Sequence, residues 1–286
     1  MKISEIYKNK KQPISFEIFP PKKGTELENI EETLDILCEL NPDYISVTFG
    51  AGGSSNNNKT IALAKLIKEK YKVEPVMHLT CLCYDKQEID EFIKQLEYEG
   101  IENILALRGD KNPNIVPKND FPHASDLISY IKPKADFCIS GACYPEAHPD
   151  SKDMVEDVRN TKIKVDAGAD LLLSQLFFDN NMFYKYVEHC RMAGIDVPIT
   201  PGIMPVINAA QITRMVTMCG ASLPEKYMRI IHKYENNPEG LFDAGLSYAL
   251  TQIIDLLAND VQGIHLYTMN NPVVARRICE GIKNII

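Results

Sequence analysis

A carboxylate stands in the middle of an apolar run near the start of the chain. Glu17 lies between Phe16 and Ile18 in the segment SFEIFPP. An ionised carboxylate is costly to bury without a partner, so an apolar setting favours the neutral, protonated group. A carboxylic acid that stays protonated suits general acid catalysis, although a satisfied structural carboxylate is the alternative. We interpret Glu17 as a functional residue.

Other polar residues stand at or near the ends of apolar runs. The motif Arg108-Gly109-Asp110 follows one such run and has glycine between two charged residues, which permits close approach of the backbone to a ligand. An ion-paired strand end explains this motif equally well. Gln175 lies inside LLLSQLFF, where the edge of a heteroaromatic ring or the backbone could satisfy its amide. The remaining polar residues of this kind are Thr48, His78, Tyr144, His148 and Tyr267.

A zinc site is one chemistry that His78, Cys81 and Cys83 could suggest. Their spacing matches no standard zinc finger or ribbon, and the alternation of a strand would spread the side chains over both of its faces. We therefore expect no metal.

Eight β-rich runs alternate with helical patterns along the chain. Most runs are continuously apolar or β-branched, as expected of parallel strands covered on both faces. The predicted strands are Ile14–Phe19, Tyr44–Phe49, Pro75–Cys81, Asn103–Leu107, Asp136–Ala142, Asp170–Phe177, Val197–Ile203 and Gly263–Thr268. Apolar residues at three- and four-residue spacing predict the helices, among them the stripes Leu27–Leu37 and Ile212–Cys219. Two extra helices, Glu225–Tyr234 and Glu239–Leu257, are predicted before the last strand.

This alternation predicts an α/β fold, a (β/α)8 TIM barrel that forms one domain over residues 1–286. A doubly wound open sheet is the alternative, but it would usually carry G-x-G-x-x-G after its first strand. Here the first strand ends in Phe19-Pro20-Pro21, and Gly50-Ala51-Gly52-Gly53 after the second strand is followed by Ser55 in the sixth position. The barrel is favoured, with its chemistry at the C-terminal ends of the strands.

Composition excludes several classes of function. The formal net charge of −8 argues against a nucleic-acid surface, which needs a concentrated basic patch. We find neither a signal-peptide pattern nor an apolar stretch of about 18 residues, so we expect no membrane association. Eight scattered cysteines in a chain of this length suit reduced thiols and a cytoplasmic location.

Nine short motifs follow one another between residues 14 and 271: SFEIFPPK, VTFGAGGS, HLTC, ALRGD, YPEAHPD, KVDAGAD, SQLFFD, PGIMP and YTMN. Together they resemble those of the 5,10-methylenetetrahydrofolate reductase family in its bacterial single-domain form. The resemblance implies a barrel that holds non-covalent FAD. NADH or NADPH would reduce the flavin, and methylenetetrahydrofolate would then take the hydride to give 5-methyltetrahydrofolate, in ping-pong order.

The resemblance also implies roles for individual residues. Glu17 resembles the general acid that assists opening of the imidazolidine ring, Asp110 a carboxylate near the flavin and the pterin, and Gln175 a partner of the pterin edge. Positions that resemble FAD contacts are Thr48, His78, Arg108, Gly109, Asp110, His123, Ala124, Ala142, Tyr144, His148, Asp157 and Lys164. Positions that match contacts to folate or nicotinamide are Gln211, Met215 and Tyr267.

Two positions depart from the family pattern. Met215 stands where many members carry an aromatic residue that stacks on the bound substrate, and methionine can still cover a ring face. The motif that often reads Leu-Asn-Arg is Met269-Asn270-Asn271 here. Any contact that the arginine makes to a substrate must come from elsewhere. The resemblance also favours a homo-oligomer.

Two other functions stay open at this point. A one-carbon methyltransferase barrel that uses zinc would need a cysteine cluster at its strand ends, and the sequence has none; a pterin or corrinoid methyltransferase would not need FAD. Alternatively, the chain could be a flavin-binding subunit that receives electrons from a partner protein.

Overall fold

The computed structural model describes residues 1–21, 28–49, 57–110, 116–208, 211–212, 215–216 and 219–286. Within these ranges it has nine strands and ten helices. The strands are β1 (Ile14–Ile18), β2 (Tyr44–Val47), β3 (Glu74–Thr80), β4 (Asn103–Leu107), β5 (Cys138–Cys143), β6 (Leu171–Ser174), β7 (Ile199–Thr200), β8 (Gly202–Ile203) and β9 (Ile264–Tyr267). The helices are α1 (Ile3–Asn9), α2 (Glu28–Glu39), α3 (Asn57–Tyr71), α4 (Lys86–Tyr98), α5 (Ala124–Ile131), α6 (Met154–Asp166), α7 (Asn180–Met192), α8 (Glu225–Tyr234), α9 (Pro238–Ala258) and α10 (Pro272–Ile282).

All strand pairs are parallel, and the order of the sheet is β7-β6-β5-β4-β3-β2-β1-β9-β8. The two outermost strands belong to one stretch of chain that Pro201 divides, because proline has no N–H for the ladder. β7 pairs with β6, and β8 pairs with β9. The stretch therefore brings the two ends of the sheet together, and the predicted (β/α)8 barrel is confirmed.

Several predicted boundaries agree with the structure. β4 and α8 have the predicted bounds, and α9 extends one residue beyond the prediction at each end. The run predicted from Asp136 begins as a strand only at Cys138, and the run Val197–Ile203 becomes two short strands. The glycine-rich segment 50–53 and Leu27 lie outside the described residues.

The barrel interior follows from the two-residue period of the strands. Its N-terminal half is filled mostly by apolar side chains, and α1 covers this end. The cluster comprises Ile3, Ile6, Tyr44, Val76, Leu105, Cys138, Leu171 and Leu173. The alternate residues of the strands point outward and pack against the surrounding helices in the main core. Toward the C-terminal ends the interior becomes polar, and there the candidate site lies.

The helix α9 corrects one expectation about membranes. By length and composition alone its 21 residues could cross a membrane, whereas we expected no such stretch. Its buried residues, including Leu246, Ile253 and Leu256, pack in the main core. A core helix of a soluble protein passes the same test.

Gly202 begins β8, one of the two strands that close the barrel, and there is no room for a side chain at this position. A Cβ atom at Gly202 would lie 2.4 Å from the Ser174 carbonyl oxygen and 2.6 Å from the Tyr267 ring. We expect Gly202→Ala to lower the free energy of unfolding by about 1–3 kcal/mol, because neither the backbone nor the packed ring can move freely. Denaturant unfolding measures this, with Gly141→Ala as the control. There the nearest atom is Leu172 Cδ2 at 3.3 Å, and equal losses in the two variants would contradict the prediction.

Candidate functional site

The predicted acid lies in a buried polar cluster inside the barrel. The strand register places Glu17 between Ser46 on β2 and Tyr267 on β9. The Glu17 Oε2 atom is 3.4 Å from His78 Nε2, 3.5 Å from Ser46 Oγ and 3.7 Å from His265 Nε2. Only 7% of the Glu17 surface is exposed. The carboxyl group is thus surrounded by two imidazoles and a hydroxyl group, with no lysine or arginine among these contacts.

His78 is the imidazole that faces this cluster from β3. Burial lowers the pKa of His78, and the nearby Glu17 opposes that shift. The ring is therefore neutral near neutral pH. Its Nε2 atom is buried and makes no hydrogen bond within the described part of the chain, because the 3.4 Å contact to Glu17 lacks hydrogen-bonding geometry. That nitrogen is available to a ligand.

A first chamber opens above this cluster at the C-terminal ends of the strands. Its volume is about 320 Å³. The sequence-predicted residues in its wall are Glu17, Thr48, His78, Arg108, Gly109, Asp110, Ala142, Tyr144, His148, Gln175 and Tyr267. Apolar and hydroxyl side chains that we did not predict complete the wall: Phe49, Thr80, Leu82, Cys83, Tyr84, Leu105, Leu107, Leu173 and Ser174.

A second chamber, of about 540 Å³, lies beside the first, against α5 and α6. The two share five wall residues, which are Leu107, Arg108, Ala142, Tyr144 and His148. The other predicted residues in its wall are His123, Ala124, Asp157 and Lys164. The two chambers therefore adjoin, and together they suit one elongated ligand.

Two cations line the second chamber. Arg108 Nη1 is 2.8 Å from Asp150 Oδ2. The Lys164 ammonium group donates to the Ala142 carbonyl oxygen and lies 5.9 Å from the centroid of the Tyr144 ring. Burial lowers the pKa of Lys164, since desolvation disfavours the ammonium ion. An anionic ligand would supply the countercharge that this lysine lacks among its hydrogen-bond partners.

A buried carboxylate in the same chamber has one free oxygen. Asp157 Oδ1 accepts hydrogen bonds from the His148 backbone N–H at 3.0 Å and from the Ser151 hydroxyl at 3.1 Å. Asp157 Oδ2 is buried and has no hydrogen-bond partner within the described residues. Buried acceptors are normally satisfied, so this atom indicates a missing donor such as a ligand hydroxyl.

Three residues predicted to contact folate or nicotinamide have protein partners of their own. Gln175 lines the first chamber, but its Oε1 atom already accepts from the Leu176 N–H at 2.9 Å, the backbone partner that the sequence left open. Gln211 lies outside both chamber walls, and its amide oxygen is 3.4 Å from the Ile207 nitrogen. Met215 also lies outside both walls and packs against an apolar cluster that Tyr267 also contacts.

The departure at Asn271 has a local explanation. Its side-chain oxygen accepts from the Val273 and Val274 N–H groups at 3.1 and 3.3 Å and so caps the N-terminus of α10. Pro272 begins the helix, where its missing N–H costs nothing. The side chain is therefore committed to the helix cap.

The residues considered for zinc do not converge. Cys81 Sγ lies 3.4 Å from the Phe121 carbonyl oxygen, and burial raises the pKa of this thiol to about 12. Cys83 and His78 both line the first chamber, whereas Cys81 lies outside its wall. Across the described ranges, no group of three or more His, Cys, Asp or Glu side chains is arranged to hold a metal ion.

Sequence reasoning missed two residues beside Glu17. His265 stands two residues before Tyr267, so the two-residue period of a strand puts both on one face. Ser46 stands two residues before Thr48 in the same way. The period was a usable signal, but it required knowing which face of each strand points inward.

The family described as methylenetetrahydrofolate reductase matches residues 2–283. The 5,10-methylenetetrahydrofolate reductase of Pectobacterium carotovorum subsp. carotovorum is 36% identical over 269 residues, which cover 94% of this chain and 89% of that protein. The Escherichia coli enzyme of the same name is 35% identical, with 94% and 90% covered. Methylenetetrahydrofolate reductase (NADH) 1 of Arabidopsis thaliana is 36% identical over 284 residues, 94% of this chain and 48% of that protein.

The chain thus spans about half the length of the plant relative and about nine-tenths of the bacterial ones. Among solved structures, an uncharacterized protein from Clostridium thermocellum that binds two copies of 5-methyl-5,6,7,8-tetrahydrofolic acid has a TM-score of 0.69. The match covers 100% of both chains at 13% sequence identity, and this likeness shows the fold alone.

Proposed function

This chain belongs to the methylenetetrahydrofolate reductase family, and on that premise we propose that it reduces 5,10-methylenetetrahydrofolate to 5-methyltetrahydrofolate with non-covalent FAD. One observation carries the proposal. Glu17 is a buried carboxyl group at the bottom of a chamber at the C-terminal ends of the barrel strands, the place where such barrels perform their chemistry.

The two chambers fit FAD. A dinucleotide has two ring systems joined by a pyrophosphate, and here two adjoining chambers have cations in their walls. Arg108 and Lys164 would bind the pyrophosphate, and Asp157 Oδ2 would accept a hydrogen bond from a ribose hydroxyl group. Bound there, the flavin would supply hydride transfer between a nicotinamide and the folate.

The protein residues would supply proton transfer and orientation. Glu17 would deliver its proton to the amine nitrogen that leaves the bridging methylene carbon when the five-membered ring opens. The free Nε2 atom of neutral His78 would orient a ligand above Glu17. Asp110, which is exposed in the chamber wall, would place a negative charge near the flavin and disfavour its anionic reduced form.

The proposal includes small-molecule partners and an assembly. NADH or NADPH would reduce the flavin and leave before folate binds, because one chamber must serve both substrates in turn. We also propose that the enzyme is a cytoplasmic homo-oligomer. The second candidate donor is a partner protein; it is favoured by Asn271, which caps α10 where the family motif often has arginine.

The test is anaerobic visible spectroscopy of the purified protein with added FAD. Under the proposal NADH or NADPH bleaches the flavin band and methylenetetrahydrofolate restores it. A flavin that neither nucleotide bleaches, but that folate reoxidises after chemical reduction, would indicate a protein electron donor. Failure to bind FAD would contradict the cofactor assignment and favour a methyltransferase.

A further inference from the structure

Polar side chains continue from Glu17 through the barrel interior toward its N-terminal end. Ser15 precedes Glu17 by two residues on β1 and therefore shares its face. Its partners in the strand register are Tyr44 on β2 and His265 on β9. All three side chains are buried, with exposures of 0%, 3% and 0% for Ser15, Tyr44 and His265.

At the Glu17 end of this series of polar side chains, each ring nitrogen of His265 has a serine hydroxyl group beside it. Ser15 Oγ is 2.7 Å from His265 Nδ1. On the other side of the ring, Ser46 Oγ is 3.4 Å from His265 Nε2 and 3.5 Å from Glu17 Oε2. The serine hydroxyl thus bridges the histidine and the carboxyl group, which are themselves 3.7 Å apart.

At the N-terminal end of the barrel the series of polar side chains reaches α1, the helix that covers the barrel. The Tyr44 and Tyr7 hydroxyl oxygens are 2.9 Å apart, and Tyr7 OH is 2.6 Å from Thr200 Oγ1. Ser15 and Tyr44 are partners in the register of β1 and β2, so their side chains lie next to each other on the inner face of the sheet. Tyr7 is a partly buried residue of α1, and its hydroxyl group lies between Tyr44 and Thr200, so the polar series ends at the helix that covers the N-terminal face.

Packing alone does not require these hydroxyl groups. At the same end of the interior β3, β4 and β6 contribute the apolar Val76, Leu105 and Leu171. Between the two leucines β5 contributes the buried Ser140, whose hydroxyl group has no hydrogen-bond partner within the described residues. Buried polar groups cost free energy unless they are satisfied, and barrel interiors are usually filled by branched apolar residues. A connected polar column in one sector therefore indicates a use for it.

Resting on the proposed function, we propose that Tyr7, Tyr44, Ser15, His265 and Ser46 form a proton path that recharges Glu17 from the N-terminal face of the barrel. When flavin and folate fill the first chamber, they cover the route by which water could reach Glu17 from above. A path through the barrel interior stays open in that state.

The proton balance is simple. After Glu17 has given its proton to the substrate nitrogen, the carboxylate takes the Ser46 hydroxyl proton while Ser46 takes the proton from His265 Nε2. In the same concerted shift, His265 Nδ1 takes a proton from Ser15, Ser15 from Tyr44, and Tyr44 from Tyr7. Water at the surface restores the proton of Tyr7. One proton enters and one leaves in each turnover, and no electrons move along the path. The shift leaves the His265 hydrogen on Nδ1, so the imidazole must return to its Nε2–H form and the hydroxyl groups must turn back before the next proton passes.

The kinetic test uses Tyr44→Phe in the FAD-loaded enzyme, because phenylalanine keeps the ring and removes the hydroxyl group. We expect first-turnover reoxidation by folate to be unchanged, because the path acts only after Glu17 has given its first proton to the substrate. Steady-state turnover should fall about tenfold, less than the 10²–10⁴ typical of losing a general acid itself. The control is Tyr248→Phe, which loses a hydrogen bond to the Phe178 carbonyl oxygen away from the path. Steady-state rates within about twofold of wild type would overturn the proposal.

Double substitution separates a path from a packing effect. Ser15→Ala and Tyr44→Phe interrupt the same path, so the double variant should turn over no more slowly than either single variant. Independent structural defects would instead multiply, and that result would overturn the proposal. Thermal unfolding of each variant checks that the fold is retained.

A second measurement needs neither flavin nor folate. In protein labelled with ¹⁵N-histidine, the ring resonances of His265, assigned through His265→Gln, report which nitrogen carries the hydrogen. The path requires Nδ1 to accept from Ser15, so we expect hydrogen on Nε2 and a changed tautomer ratio in Ser15→Ala. Hydrogen on Nδ1 would overturn the path. Failure of the proposed function would appear separately, as wild-type protein that lacks one of the two half-reactions.

Discussion

Glu17→Gln is expected to lose folate reduction by a factor of about 10²–10⁴ while flavin reduction by nucleotide stays within about twofold of wild type. Glutamine has nearly the size of glutamate and can keep the contact to Ser46, but it has no acidic proton to give. Hydride transfer from nucleotide to flavin needs no proton from this side chain. The substitution therefore separates the two half-reactions.

Stopped-flow measurement of each half-reaction tests this prediction. Glu74→Gln is the matched control, because Glu74 begins β3 at the opposite end of the barrel and pairs with the Met1 amino group at 2.8 Å. Both half-reactions should be normal in that variant. If Glu17→Gln slows nucleotide oxidation as much as folate reduction, Glu17 is not the acid, and its buried cluster serves to build the site.

The fold could be predicted because the strands are buried on both faces. Apolar runs such as Ile104–Leu107 mark such strands, and the bounds of β4, Asn103–Leu107, agree with the prediction. The run Val197–Ile203 could not be resolved in the same way. The run contains two prolines, and Pro201 offers no donor to the ladder, so the strand is interrupted there. The half before Pro201 pairs with β6, and the half after it pairs with β9.

The candidate site could be predicted only in part. Glu17 was recognisable because a carboxyl group inside an apolar strand needs an explanation. The partners of Gln175 were not, since an amide can bond to a ligand or to the backbone, and only the structure places the Leu176 N–H at 2.9 Å. Asn271 carried a usable signal: asparagine followed by proline is typical of a helix start.

The second chamber was harder to predict, because helices and loops build much of its wall. Asp157 and Lys164 lie on α6, two turns apart, and neither position departs from an ordinary surface helix in sequence. The family resemblance identified them, whereas residue pattern alone did not. Their burial and the free Oδ2 atom of Asp157 come from packing of α6 against the barrel, a long-range effect.

Lys164→Met is expected to weaken FAD binding by about 10- to 100-fold, the loss of one hydrogen bond to a charged group. Methionine retains the apolar stem beside Tyr144 and removes only the ammonium group. Lys162→Met is the control on the same helix, since Lys162 pairs with Asp166 and lies outside the chamber wall. Fluorescence titration of the apoprotein with FAD gives both dissociation constants.

The pH dependence of FAD binding makes this prediction sharper. Burial lowers the pKa of Lys164 in the free protein, and a bound pyrophosphate would raise it again, so binding is coupled to proton uptake. The wild-type affinity should therefore decrease as pH rises through the free-protein pKa, and Lys164→Met should lose that decrease. An unchanged affinity and pH profile in the variant would place the pyrophosphate elsewhere, leaving Arg108 as the cation that both chambers share.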